Sequence, residues 1–183
     1  MSLVFRLLDG NIGKDLANRP ALLRPVMTAD DRPPGGAFTV ATADPDKARA
    51  AVEAGARGVL MAITDDFAPA DRMAVTLSVA EAELGLADGA LSLIVEIAGP
   101  GGALRLAHRS PVPGRLAMLG IDLEGFGRGA AGGADAPRLT AAGLVALAAA
   151  AHGLPAYLRG SGSLMPDGRP AFAGFTHLLV AGN

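Results

Sequence analysis

The sequence contains no cysteine. Disulfides, thiolate metal sites and a cysteine nucleophile are therefore excluded. Aromatic residues make up only 4% of the chain, and basic residues hold no surplus, with 16 Lys and Arg against 18 Asp and Glu. A nucleic-acid partner calls for a basic block and for rings on which bases can stack, so that class is set aside. No apolar run reaches the roughly 20 residues of a membrane span. The alanine-rich segment 141–151 comes nearest. The opening MSLVFRLLDGNIGKD has a short apolar patch with one arginine inside it, without the charged front, long apolar core and small-residue cleavage site of a signal peptide. The expectation is a cytoplasmic protein with no membrane partner.

What is present is aliphatic. Half of the 183 residues are hydrophobic, and the mean hydropathy is +0.35. That length supports one well-buried domain. Residues 1–36 read as an irregular N-terminal arm, interrupted by Pro20, Pro25, Pro33 and Pro34. From Ala37 the pattern is regular and predicts strands at 37–42, 58–63, 91–97, 115–119, 156–158 and 177–180. Helices are predicted at 45–54, 69–84, 101–108 and 139–152, the first opened by Asp44 as N-cap with Pro45 behind it. Gly125–Ala136 reads as a glycine-rich loop. Continuous aliphatic strands alternating with helices imply a parallel sheet covered on its outer faces, in one domain spanning 37–183.

The stretch LIVEIAGPGG, residues 93–102, poses the chemical question. A buried strand carries a carboxylate, Glu96, and burying a charge costs several kcal/mol, about 3–5, unless a partner compensates it. A second carboxylate, Asp122 in MLGIDLEGFG, follows about one strand–helix unit later. Parallel neighbouring strands bring two such residues to the same end of a sheet. Two carboxylates with a few waters suit Mg²⁺, which prefers oxygen ligands. The alternative is a purely structural Glu96, paired with an arginine or a helix N-terminus. Asp65 and Asp66 could sit over the same end of the sheet, although capping of the next helix explains them as well. His108, His152 and His177 are scattered and form no ligand pair. Gly125-Phe126-Gly127-Arg128-Gly129 lacks the lysine of a phosphate-binding loop, and Ser161-Gly162-Ser163 has no evident base and reads as a turn.

Three segments resemble a known family. AVEAGARGVLMAITDD followed by APADR, then LIVEIAGPGGALRLAHRSP, then LGIDLEGFG are similar to motifs of citrate lyase beta-subunit-like proteins and the related 2-oxo-acid aldolases. The resemblance covers roughly residues 37–183 and implies a phosphoenolpyruvate/pyruvate-type TIM barrel. It further implies a Mg²⁺-dependent carbon–carbon lyase acting on a small 2-oxo acid or an acyl-CoA-like thioester. Glu96 and Asp122 match the two metal ligands, and Thr64, Asp65 and Asp66 would orient substrate. The chain also departs from the family. The DLED motif becomes Ala62-Ile63-Thr64-Asp65, and the Asn-Arg-Pro segment becomes Ala43-Asp44-Pro45. Two strand–helix units are missing, one of them carrying the arginine that binds the substrate carboxylate; Arg159 and Arg128 are the loop arginines available to replace it. An eight-unit barrel typically takes about 250 residues, so a truncated barrel of about six strand–helix units is expected. A homodimer or higher homo-oligomer is expected to cover its open edge, with the N-terminal arm as the competing solution. The alternative to an enzyme is a barrel-derived scaffold or partner subunit that has lost activity.

Overall fold

Eight strands form the sheet of the computed structural model, which describes residues 3–7, 26–28, 37–106, 108, 113–128, 135–160 and 174–181. The order along the chain is β1 (Leu3–Leu7), β2 (Val26–Thr28), β3 (Phe38–Ala41), α1 (Pro45–Glu53), β4 (Ala56–Ile63), α2 (Ala68–Glu83) and β5 (Ser92–Ile97). There follow α3 (Pro100–Leu106), β6 (Leu116–Asp122), α4 (Leu123–Arg128), α5 (Asp135–Ala151), β7 (Ala156–Arg159) and β8 (His177–Ala181). Strands β2 to β8 pair in chain order, all parallel. The fold is α/β, with the parallel sheet that the aliphatic pattern implied, and TIM-barrel-like in truncated form, as the motif resemblance implied.

The six strands expected after residue 36 are β3 to β8. The segment 1–36 supplies the other two, and its remaining residues lie outside those described, as does the expected Ser161–Ser163 turn. Strand β1 runs antiparallel to β8 from Leu3↔Ala181 to Leu7↔His177, and meets β2 at Leu3↔Val26, so the barrel closes on itself. The edge that a second copy was expected to cover is therefore paired within the chain, which removes the geometric reason given for a homodimer.

Local chemistry explains where the helices start. Asp44 accepts from the backbone N–H of Asp46 at 2.9 Å and of Lys47, while Pro45 opens α1. Asp66 accepts from the N–H of Ala68 at 2.6 Å and so satisfies the first turn of α2. Gly55, Gly85 and Gly153 follow α1, α2 and α5 at positive φ, where glycine ends a helix at little steric cost. The loop expected at 125–128 is instead helical: α4 begins directly after Asp122, whose Oδ1 accepts from Gly125 N–H at 2.9 Å. A carboxylate in the N-cap position outweighed the glycines on either side of Phe126.

Two apolar layers hold the barrel. Outward-facing Val59, Met61, Ile63, Leu93, Val95, Ile97, Leu119 and Ile121 pack under the helices, against Met73 and Leu77 of α2 and Ala142, Val145 and Ala149 of α5. Inward-facing Val26, Leu60, Ile94, Met118, Tyr157 and Leu179 fill the lumen. Each such side chain contributes roughly 1.5–3 kcal/mol by leaving water. Inside and outside alternate along each strand. Glu96, two residues after Ile94, must therefore face the lumen.

Candidate active site at the barrel mouth

Register places the polar groups. Glu96 pairs with Ala62 on one side and Gly120 on the other; Gly120 pairs with Tyr157, and Asp122 with Arg159. Met118, Gly120 and Asp122 share the lumen face of β6, as Tyr157 and Arg159 share that of β7. All lie toward the C-terminal ends of their strands, the end at which parallel barrels build sites.

Glu96 is buried, with 1% of its surface exposed, and its two oxygens are separately bound. Tyr157 donates its hydroxyl to Oε2 at 2.9 Å, and Arg159 donates from Nη1 to Oε1 at 2.9 Å. Burial pushes the Glu96 carboxyl above the ordinary carboxylate range, and the charge of Asp122 pushes the same way; the Arg159 ion pair and the Tyr157 hydrogen bond oppose them. Burial, and then the charge of Glu96, hold the Tyr157 hydroxyl well above its usual range, so it serves as a donor. For Arg159, burial alone disfavours the charge, but Glu96 and Asp122 outweigh it and keep the guanidinium firmly protonated. The answer to the buried carboxylate is thus a three-membered network closed by residues 61 and 63 positions further along the chain.

Gly120 makes that network possible. A Cβ at this position would lie 2.0 Å from Cε1 and 2.1 Å from Cζ of Tyr157. The ring therefore lies directly over the glycine backbone, and only a residue without a side chain lets the hydroxyl reach Glu96. Gly125, in the first turn of α4, is constrained in the same way, since a Cβ there would lie 2.4 Å from Asp122 Oδ2.

The residues expected to orient substrate follow directly on the C-terminal end of β4, at the same end of the barrel as Glu96. Thr64, Asp65 and Asp66 are exposed. The carbonyl of Thr64 accepts from Gly102 N–H at 2.7 Å, and Cβ atoms at Gly99 and Gly101 would each lie 2.7 Å from Thr64 O and Asp65 Oδ1 respectively. The Gly-Pro-Gly-Gly break thus lets α3 pack tightly on the β4–α2 loop, and Asp66 caps α2. The groups acting electrostatically on Glu96 are Arg159, Tyr157 and Asp122.

Tyr157, Gly120 and Arg159 are the site residues that sequence reasoning missed or left open. The signal was present for one of them. Tyr157 is the only tyrosine in the chain, and it sits in a buried strand, where a hydroxyl needs a partner.

His177 pairs with Tyr157 in register and is also buried, with its Nδ1 2.7 Å from Thr176 Oγ1. Burial lowers its pKa from 6.5 to about 4. A histidine depressed in the folded state contributes stability that is complete above pH 6.5 and is lost as pH falls through about 4. A tenfold change in a proton-binding constant corresponds to about 1.4 kcal/mol. Acidification from pH 7 to 4 should therefore cost the parent protein roughly 2–3 kcal/mol more than a His177→Gln variant. Urea melts across that range measure the difference, and parallel pH profiles would refute the assignment.

Among the described residues no three His, Asp or Glu side chains gather as a metal cluster, and no helix is long and apolar enough to cross a membrane. No protein-family model matches the chain, and no curated protein sequence does either. Its fold is matched by solved structures of Haloferax volcanii malate synthase. The native enzyme at 3 mM glyoxylate superposes with a TM-score of 0.52 and 14% identity over 76% of this chain and 54% of the other. The magnesium/glyoxylate complex gives 0.51 and 16% over 85% and 61%, and the lead(II) complex 0.50 and 16% over 82% and 58%. The chain spans little more than half the length of those it matches. At such identity the likeness establishes the fold: this is a truncated TIM-barrel-like α/β protein, similar in architecture to Haloferax volcanii malate synthase.

Proposed function

We propose that the barrel mouth is the site of a Mg²⁺-dependent carbon–carbon lyase acting on a small 2-oxo acid or an acyl thioester. The observation that carries this reading is the convergence of Glu96, Asp122 and Arg159 on adjoining strands, two carboxylates facing one guanidinium. That set brings oxygen donors of the kind Mg²⁺ prefers to one end of the barrel.

The donors suit magnesium. An ionised carboxylate offers about four lone-pair sites; Tyr157 and Arg159 occupy one on each oxygen of Glu96, and Gly125 one on Asp122. Capacity remains on Glu96, and Mg²⁺ is commonly held by one or two carboxylates and several waters. Tyr157 and Arg159 would fix the orientation of the Glu96 carboxylate, as partners of ligating carboxylates do. The chemistry the ion supplies when bound is polarisation of a carbonyl oxygen, so that negative charge developing there is stabilised. Support comes from the motif resemblance of residues 93–127 and from the fold of a malate synthase that was solved with magnesium and glyoxylate.

A competing reading has one observation behind it: the Arg159 ion pair compensates Glu96 with no ligand at all, as an inactive scaffold would need. Thermal melts separate the two. Saturating Mg²⁺ at about 100 times its Kd stabilises a protein by about 2.7 kcal/mol, which is roughly 5–10 °C for a chain of this size. The parent should show that shift, and Glu96→Gln should abolish it. Equal shifts in both would exclude Glu96 as a ligand, and no shift in the parent would favour the scaffold.

A further inference from the structure

We propose that a second copy of this chain docks on the outer face of α5, about a two-fold axis beside Gly143, with Leu147 of each copy seated in an apolar cavity of the other. The assignment is independent of the function at the barrel mouth. It uses a helix face, not the strand edge that β1 closes.

The composition of α5 is the first observation. From Leu139 to Ala151 it reads LTAAGLVALAAAA, thirteen residues without a charge. Yet Leu139, Thr140, Gly143, Leu147, Ala150 and Ala151 are all exposed. Helix α2, of nearly equal length, instead exposes Asp71, Arg72 and Glu83, as a helix facing water does. Leu147 is 69% exposed, and Leu104 on the neighbouring α3 is 64% exposed. A contiguous apolar patch of this kind marks a contact surface.

The second observation says what fits it. A cavity of about 400 Å³ opens between α3, α4 and α5, lined by Leu104, Phe126, Pro137, Thr140, Ala141 and Leu144. Its walls are almost wholly apolar, so its guest is an apolar side chain. Seven residues make close to two helical turns, so Thr140 at the cavity and the protruding Leu147 lie on one line along α5. Antiparallel pairing about an axis midway between them places each Leu147 over the other copy's cavity. A two-fold interface requires that self-complementarity, which selects a second copy over an unrelated partner.

Gly143, beside that axis, is the third. Its φ is not left-handed, and a Cβ there would meet nothing within 4 Å among the described residues. Neither a turn nor internal packing accounts for it, and glycine inside a helix is destabilising relative to alanine. Close approach of a second helix backbone does account for it. Thirteen residues rise about 20 Å, and α3 lies about 8–10 Å to the side. The face is then on the order of 400–600 Å² per copy, at the low end for specific interfaces. A reversible dimer of micromolar affinity is expected, and a net charge of −2 opposes it little.

Sedimentation velocity of the full chain from about 1 to 100 µM covers that affinity. The parent should pass from monomer to dimer. Gly143→Gln meets open space in the monomer and the other copy's helix in the dimer, so it should weaken association at least about tenfold. Leu147→Gln removes a buried leucine twice in a symmetric dimer and should weaken it about 100-fold or more. Urea midpoints at the lowest concentration should match the parent's for Leu147→Gln and equal or exceed it for Gly143→Gln, since glutamine favours helix over glycine. The absence of cysteine permits an independent reading. Gly143→Cys brings two thiols near the axis, within disulfide reach, and air oxidation should give a covalent dimer. Val75→Cys, equally exposed on α2, should not. A parent still monomeric at the top of the range overturns the proposal. So does a dimer that either glutamine variant leaves unchanged, or one that cross-links as well through Val75→Cys as through Gly143→Cys.

Discussion

Gly120→Ala is expected to destabilise this protein by about 3–5 kcal/mol, more than most single substitutions, through a single added methyl group. The Cβ would overlap the Tyr157 ring at 2.0 Å, far inside any contact distance. The ring cannot step aside easily, because it is fully buried among Leu60, Ile94, Met118 and Leu179 in the lumen. Overpacking of this kind costs about 1–3 kcal/mol. Displacing the ring also removes the hydroxyl from Glu96, and a hydrogen bond to a charged group is worth about 1.5–3 kcal/mol. The two costs share one ring, so they should be strongly coupled. The double variant Gly120→Ala with Tyr157→Leu should be less destabilised than the sum of its singles by at least about 1 kcal/mol. Urea unfolding of the four proteins gives the cycle. A Gly120→Ala protein within about 1 kcal/mol of the parent, or an additive cycle, would show that the ring is not held over the glycine.

An effect of similar size is expected at the opposite end of the barrel, where no function is proposed. Glu81 of α2 is buried, with Oε1 accepting from Leu91 N–H at 2.7 Å and Oε2 lying 3.0 Å from Arg115 Nη1. Arg115 also donates to the Leu91 carbonyl at 3.4 Å and to Ser78 Oγ. Its contact with Asp88, at 3.5 Å, adds little because that carboxylate is almost wholly exposed. The pair therefore ties α2 to the starts of β5 and β6. Glu81→Ala leaves a buried guanidinium and an unpaired backbone N–H, and should cost about 3–5 kcal/mol. Glu81→Leu combined with Arg115→Met should recover much of that loss, since a buried ion pair often does no better than well-packed apolar groups. Recovery should stay incomplete by about 1 kcal/mol or more, because Leu91 N–H still lacks an acceptor. A Glu81→Ala protein as stable as the parent in urea would mean that water or another group satisfies Arg115.

These two clusters mark the division between what the chain announces and what only folding decides. Apart from α4, the strands and helices after residue 36 were legible because their signals are local. Runs such as GVLMAI and LIVEI are too apolar for anything but a buried strand, and Asp44-Pro45 fixes a helix start within three residues. The parallel sheet followed from the alternation of those elements, and the barrel from the resemblance of three motifs to a known family. Even the two carboxylates at the mouth were legible, because side chains alternate along a strand and adjacent strands share an end. The partners of Glu96 were not. Tyr157 and Arg159 lie more than sixty residues away, and they meet Glu96 only because the register of β5, β6 and β7 sets Gly120 between them. Nothing near Glu81 in sequence points to Arg115 for the same reason. The closure of the barrel was equally hidden: proline interruptions made residues 1–36 look irregular, and the antiparallel pairing of β1 with β8 joins the two ends of the chain. Local propensity acts over a few residues, whereas register, lumen packing and the compensation of buried charge are set by pairs of groups that become neighbours only when the sheet has closed.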